Sequence, residues 1–146
     1  MKTKMRPRYY CDHCGKGTGS PSYMRRHEAG CTKNPDRVCG MCAMVGQASG
    51  KHKAGIEAWS ACDGNYKEKM GWVRNATGNC PACILATLRQ VGAFGILAPA
   101  EEPCLPSIDD PIWESVTTGL KAFGFDFRAE SDAWIRAVNE AEARLP

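Results

Sequence analysis

The sequence predicts an α+β protein made of small modules held together by bound metal rather than by one large core. Three observations predict it. Cys11, Cys14, His27 and Cys31 fall as Cys-x2-Cys-x12-His-x3-Cys. Two more cysteine knuckles follow, Cys39-x2-Cys42 and Cys80-x2-Cys83. Apolar residues then recur at helical spacing towards the C-terminus. A segment of about 30 residues buries too little apolar surface to fold alone. A bound zinc ion supplies the missing folding energy. The class is thus α+β with zinc-stabilised modules, and the ligand sets ask for two zinc ions.

Composition narrows the alternatives. A chain of 146 residues with 43% hydrophobic content is neither long enough for several ordinary domains nor polar enough to be largely disordered. No apolar run approaches a membrane span. The start, Met1–Arg8, is basic and lacks the apolar stretch of a signal peptide. These features lead us to expect a soluble, cytoplasmic protein. Nine cysteines in a secreted chain suggest disulfides. Here the number is odd, and six of the nine sit in CxxC pairs, which favours metal.

Charge is uneven along the chain. Residues 1–42 carry nine Lys/Arg against three Asp/Glu, and residues 101–146 carry four against ten. A zinc site of three cysteines and one histidine has a net charge of about −1, and one of four cysteines about −2. With both ions bound, the formal +3 falls to near neutrality. What remains is a basic head and an acidic tail.

The segments follow in order. Residues 1–8 read as a basic arm and 9–31 as the first metal module. Thr32–Arg37 reads as a short polar linker broken by Pro35. Residues 38–97 hold the four-cysteine module. Within it, Ala43–Ala54 is rich in Gly, Ser and Lys and reads as a loop, and Gly55–Ala61 as a short helix or strand. Tyr66–Arg74 has strand-like aromatic and branched residues. Cys83–Val91 reads as a helix, with Ile84, Leu85, Leu88 and Val91 on one face. Residues 98–146 form a C-terminal helical segment that opens with a proline-rich linker over 98–111. Its first helix is Pro111–Phe123. Its second is Ser131–Arg144, with Ser131 as N-cap and Trp134, Ile135, Val138 and Ala141 along one face. The bland role for this segment is to cover the four-cysteine module. The sharper one is to present an acidic, aromatic docking surface.

Residues 9–31 resemble the C2H2 zinc finger in its variant with a terminal cysteine. Tyr9 stands two before the first cysteine, Met24 three before His27, and Gly15-Lys16 follow the second cysteine. The resemblance implies a ββα fold, a hairpin carrying Cys11 and Cys14 and a helix carrying His27. Ser20-Pro21 suits an N-cap followed by a first-turn proline. His27 and Cys31 then share one helical face. The family's core aromatic is replaced by Thr18, so Met24 and the tyrosine pair must fill a smaller core. By the family's register, Ser20, Tyr23 and Arg26 are the base-reading positions. Arg6, Arg8, Lys16 and Arg25 can reach phosphates. One finger reads only about 3 bp, so a protein partner is an equal candidate.

Cys39, Cys42, Cys80 and Cys83 look like the knuckles of a zinc-ribbon or treble-clef type site. Their 37-residue separation is long but tolerable. His52 and Cys62 lie between the pairs and are possible substitute ligands. His52, between two lysines, reads as a solvated loop residue. Cys62 and Cys104 read as buried or free thiols, and His13 as pointing away from the metal.

No enzyme is expected. Both ligand sets are full, and catalytic zinc needs an open position. The deaminase His-x-Glu with Pro-Cys-x-x-Cys is absent, as is His-Glu-x-x-His. The chain also looks like the small zinc-finger proteins encoded by bacteriophages and prophages, through His27–Cys31 and Arg37–Cys42. That resemblance implies a bacterial host cytoplasm or a virion. The leading expectation is a non-catalytic accessory protein whose basic head contacts nucleic acid. The alternative is a protein-interaction or structural module. Neither involves a small-molecule substrate or a membrane.

Overall fold

A computed structural model describes residues 7–93, 121 and 124–144. Strands β1 (Tyr9–Tyr10) and β2 (Gly17–Thr18) pair antiparallel, with Tyr9 opposite Thr18 and Tyr10 opposite Gly17. The turn between them is closed by Gly15 N–H donating to Cys11 O and Cys11 N–H donating to Lys16 O, both at 2.9 Å. Gly15 sits at φ 73, a left-handed conformation that costs glycine little. Helix α1 (Pro21–Gly30) follows directly. Ser20 caps it, its side chain accepting from Tyr23 N–H at 3.3 Å, and Pro21 fills the first turn.

This module has almost no core. Met24 is buried between Cys11 and Cys31. Contrary to expectation, the tyrosine pair does not join it: Tyr9 is 37% and Tyr10 60% exposed. A single buried methionine contributes about 1.5–3 kcal/mol, far less than the cost of ordering some twenty residues at roughly 1–2 kcal/mol each.

Among the described residues, the remaining elements are helices: α2 (Gly40–Met44), α3 (Lys51–Ala61), α4 (Tyr66–Thr77), α5 (Pro81–Gln90) and α6 (Phe127–Ala143). Three expectations are corrected here. The expected loop Ala43–Ala54 contains helical turns at both ends. The expected strand Tyr66–Arg74 is helix, started by a capping box in which Asn65 accepts from Glu68 N–H and Glu68 accepts from Asn65 N–H, each at 3.1 Å. The last helix begins at Phe127, capped by Asp126, and not at Ser131. The expected linker 98–111 and Cys104 lie outside the described residues, as does the helix Pro111–Phe123 apart from Lys121.

Met70, Val73, Ile84, Leu85, Leu88, Ala93 and Phe125 form the main hydrophobic core, with Trp59, Val91 and Phe127 against it. Helix α5 runs through its centre, and its residues from Pro81 to Leu88 are buried apart from Ala82. Helix α3 crosses α5 at Gly55. A Cβ there would overlap Thr87 Oγ1 and lie 2.9 Å from Thr77 Cγ2, so only glycine lets the two helices approach this closely. Of the residues placed by pattern on one face of α6, Trp134 and Val138 are half-buried, whereas Ile135, at 40%, and Ala141 are exposed.

Thr32–Arg37, expected as a polar linker, is fastened along its length. Gln90 Nε2 donates to Thr32 O at 2.9 Å and Asn34 O at 3.1 Å. Lys53 pairs with Asp36 at 2.7 Å. Arg37, only 6% exposed, donates to Gly30 O at 3.4 Å and to Ala82 O at 3.1 Å. The N-terminal module is thereby seated on α3 and α5.

Candidate metal centres

The hairpin turn and the end of α1 bring Cys11, Cys14, His27 and Cys31 together, with their ligand atoms all within 4.8 Å of one another. Cys14 Sγ lies 3.2 Å from His27 Nε2. Cys11 and Cys31 are buried, while Cys14 and His27 are half-buried. His13 is exposed and outside the cluster. Burial, reinforced by the nearby Lys16 charge, lowers the His27 pKa and keeps its ring in the neutral form that binds metal. Burial pushes the Cys14 thiol up to about 11, with Cys11 and Cys31 adding to the effect. Burial also opposes ionisation of Cys11, but the amides of Cys14 and His13 outweigh it and hold that thiol below its usual range.

Cys39, Cys42, Cys80 and Cys83 form the second cluster, also within 4.8 Å. All four are fully buried. Cys39 and Cys80 lie 41 residues apart in sequence and 3.7 Å apart between sulfurs, and Cys42 and Cys83 are 3.6 Å apart. A disulfide would bring sulfurs to about 2.05 Å. Four thiolates about 2.3 Å from one tetrahedral ion stand roughly 3.8 Å from each other. The spacing therefore fits a shared ion. Cys39 is the N-cap of α2 and Cys80 the N-cap of α5, so two helix N-termini converge on the sulfurs and favour negative charge there. Trp134 of α6, with Met41 and Ala82, packs against the four sulfurs.

The thiols constrain one another. Hydrogen bonds from Cys80 and Cys83 hold Cys39 far below its ordinary range. Burial raises Cys42 to about 12, with Cys80 adding to it, and Cys83 is raised by Cys39 and Cys80. Sulfurs this close cannot all ionise unaided. A divalent cation removes that conflict and releases the protons. Each cluster can hold a metal ion, and both offer the soft, four-fold donor set of a closed tetrahedral site.

The possible substitute ligands stay apart from the second cluster. His52 is not a solvated loop residue: it is fully buried on α3, with Nε2 2.9 Å from Pro35 O. Cys62 is buried at the end of α3.

Of the residues expected to contact nucleic acid, Arg8, Lys16, Ser20, Tyr23, Arg25 and Arg26 are exposed, and Arg6 lies outside the described residues. Lys16 Nζ sits 3.4 Å from Tyr23 OH and 5.7 Å from the ring centroid. The Arg26 guanidinium lies 5.9 Å from the same ring. Ser20, Tyr23 and Arg26 line an open cleft of about 440 Å³ with Thr18 and Ser22, and Arg8 and Arg25 do not.

Sequence reasoning passes over two arginines beside these clusters, the buried Arg37 and the half-buried Arg89. Their only signal is position, shortly after Cys31 and Cys83. Comparison of the chain with models of protein families, with curated proteins and with solved structures finds no match in any of the three.

Proposed function

We propose that the chain is a non-catalytic zinc-binding accessory protein whose N-terminal module contacts nucleic acid. Zinc is the ion of choice because it accepts either donor set, three cysteines with one histidine or four cysteines, in closed tetrahedral form. The observation that carries the nucleic-acid reading is the Lys16–Tyr23–Arg26 group. Two cations flank an aromatic ring that is 40% exposed, at the N-terminal end of α1. Cations and helix N-termini attract phosphate, and exposed aromatics stack on bases.

Fluorescence anisotropy of zinc-loaded protein with duplex DNA, single-stranded DNA and RNA at two salt concentrations tests this. The reading expects salt-sensitive binding that weakens when Arg25 and Arg26 become Ala. Each lost phosphate contact lowers the logarithmic salt slope by about 0.7–0.9. Absence of binding at low salt sinks it.

One observation favours a protein partner instead. An apolar groove of about 420 Å³ runs between α2 and α6, lined by Met44, Val45, Trp134, Ala137 and Val138 among others. Under that reading, salt-insensitive association with a protein replaces the nucleic-acid signal.

A further inference from the structure

The two metal clusters are tied to a single element. Cys80 and Cys83 stand at the N-terminal end of α5, beside the second ion's place. Arg89 and Gln90 stand at its C-terminal end. Arg89 donates to Thr32 Oγ1, and Gln90 donates to Thr32 O at 2.9 Å. Thr32 immediately follows Cys31, the last ligand of the first cluster. Once Cys31 and Cys14 are thiolates on a metal, their negative charge lies near the Arg89 guanidinium, which is partly withdrawn from water. A second tie runs through Arg37, two residues before Cys39. Its guanidinium bridges Gly30 O, next to Cys31, and Ala82 O, between Cys80 and Cys83.

We propose that the two sites bind metal cooperatively, through α5 and the Thr32–Arg37 strap, with Arg89 as the positioning residue that links them. The physical cause is shared cost. Ordering the strap and seating Arg89 and Gln90 against it are needed for both sites in their final form. Whichever ion binds first fixes α5 and the strap, and the second ion then meets a site already built. A metal-loaded first cluster, with its net charge of about −1, also favours the charged guanidinium of Arg89 beside it. Coupling of this kind is reciprocal between the sites.

The proposal rests on the reading that both clusters hold metal, and cobalt(II) separates the two ideas. Cobalt–thiolate absorption reports occupancy directly, and centres with four sulfur ligands differ in their bands from centres with three sulfurs and an imidazole. The first site is disabled by Cys11→Ala with Cys14→Ala, which substitutes no residue of the strap or α5. The cobalt affinity of the four-cysteine site should then fall by about tenfold, within the usual range of coupling between sites. In an Arg89→Met background the same double substitution should change that affinity less, because only the Gln90 and Arg37 ties then join the sites. Arg89→Lys keeps the charge and should restore part of the coupling. An unchanged affinity after loss of the first site overturns the proposal, and so does an equal loss in both backgrounds. No cobalt–thiolate absorption at all overturns the metal reading itself. Should the double variant not fold, native mass spectrometry of the ligand-intact chains decides. At one equivalent of zinc, Arg89→Met must show more singly loaded protein than the unsubstituted chain, and an equal amount refutes the coupling.

Discussion

Arg74 on α4 grips Glu130 on α6 with two parallel hydrogen bonds, Nη1 to Oε2 at 2.9 Å and Nη2 to Oε1 at 2.6 Å. Nη2 also donates to Gly124 O at 2.8 Å, and the guanidinium stands 5.9 Å from the centre of the buried Phe125 ring. One side chain thus fixes the entry to α6 and, through it, the placing of Trp134 over the four-cysteine cluster. Arg74→Ala should cost near the lower end of the roughly 1.5–3 kcal/mol typical of hydrogen bonds to charged groups, since both partners keep partial water contact. Arg74→Lys should recover less than half of this, because an ammonium cannot make the two-pronged contact. Urea unfolding of the three proteins checks it. A loss as small as that of an isolated surface pair shows that α6 is held by the apolar packing of Phe125, Phe127 and Trp134.

The crossing of α3 and α5 permits no side chain at position 55. Gly55→Ala should destabilise by about 1–3 kcal/mol, the usual effect of overpacking, although alanine favours helix more than glycine does. Thermal unfolding distinguishes the two effects by sign. A stabilised variant contradicts the close approach of Gly55 to Thr77 and Thr87.

His52 gives the fold a pH dependence of its own. Burial lowers its pKa below the ordinary 6.5, outweighing the Pro35 carbonyl. Nε2 donates to that carbonyl, and Nδ1 has no partner among the described residues. The folded state therefore holds a neutral ring, while the unfolded chain takes up a proton near 6.5. The stabilisation is complete above the unfolded pKa and is lost progressively as pH falls below 6.5. An NMR titration should show the His52 ring still mostly neutral at pH 6.5. Protonation of His52 at or above 6.5 in the folded protein contradicts this placement.

The two clusters differ in access. Cys14 is half-buried, whereas every cysteine of the second cluster is fully buried. Under mild chelation with an alkylating reagent, Cys14 and its neighbours should be modified well before Cys39, Cys42, Cys80 and Cys83. Peptide mass spectrometry reads the order. Equal rates at both clusters show that the helical core opens as readily as the N-terminal module.

Both ligand sets are legible in the sequence because chemistry imposes their spacing. Cys39 and Cys80 meet across 41 residues because two knuckles at that distance have few other uses. The hairpin and α1 are legible from Ser20-Pro21 and the His27–Cys31 interval. Helix α4 is not, because Tyr66, Trp72 and Val73 suit a strand as well. The decisive signal is Asn65 with Glu68, a helix start visible three residues apart. Helix α3 is obscured by lysines flanking His52. Its buried face consists of His52 and Gly55, which hydropathy does not mark as core. The strap is hidden for a different reason. Thr32, Asn34 and Pro35 look like a linker because they satisfy partners through backbone carbonyls, which sequence does not display.

The central claim is that two metal ions complete this chain. Native mass spectrometry of protein purified without added metal, compared with its acid-denatured mass, tests it most directly. The account predicts two zinc ions per chain and all nine cysteines reduced after acid release. It also predicts loss of one ion, not both, when Cys11 and Cys14 are replaced and zinc is in excess. A metal-free chain, or one whose CxxC cysteines are joined as disulfides, contradicts it.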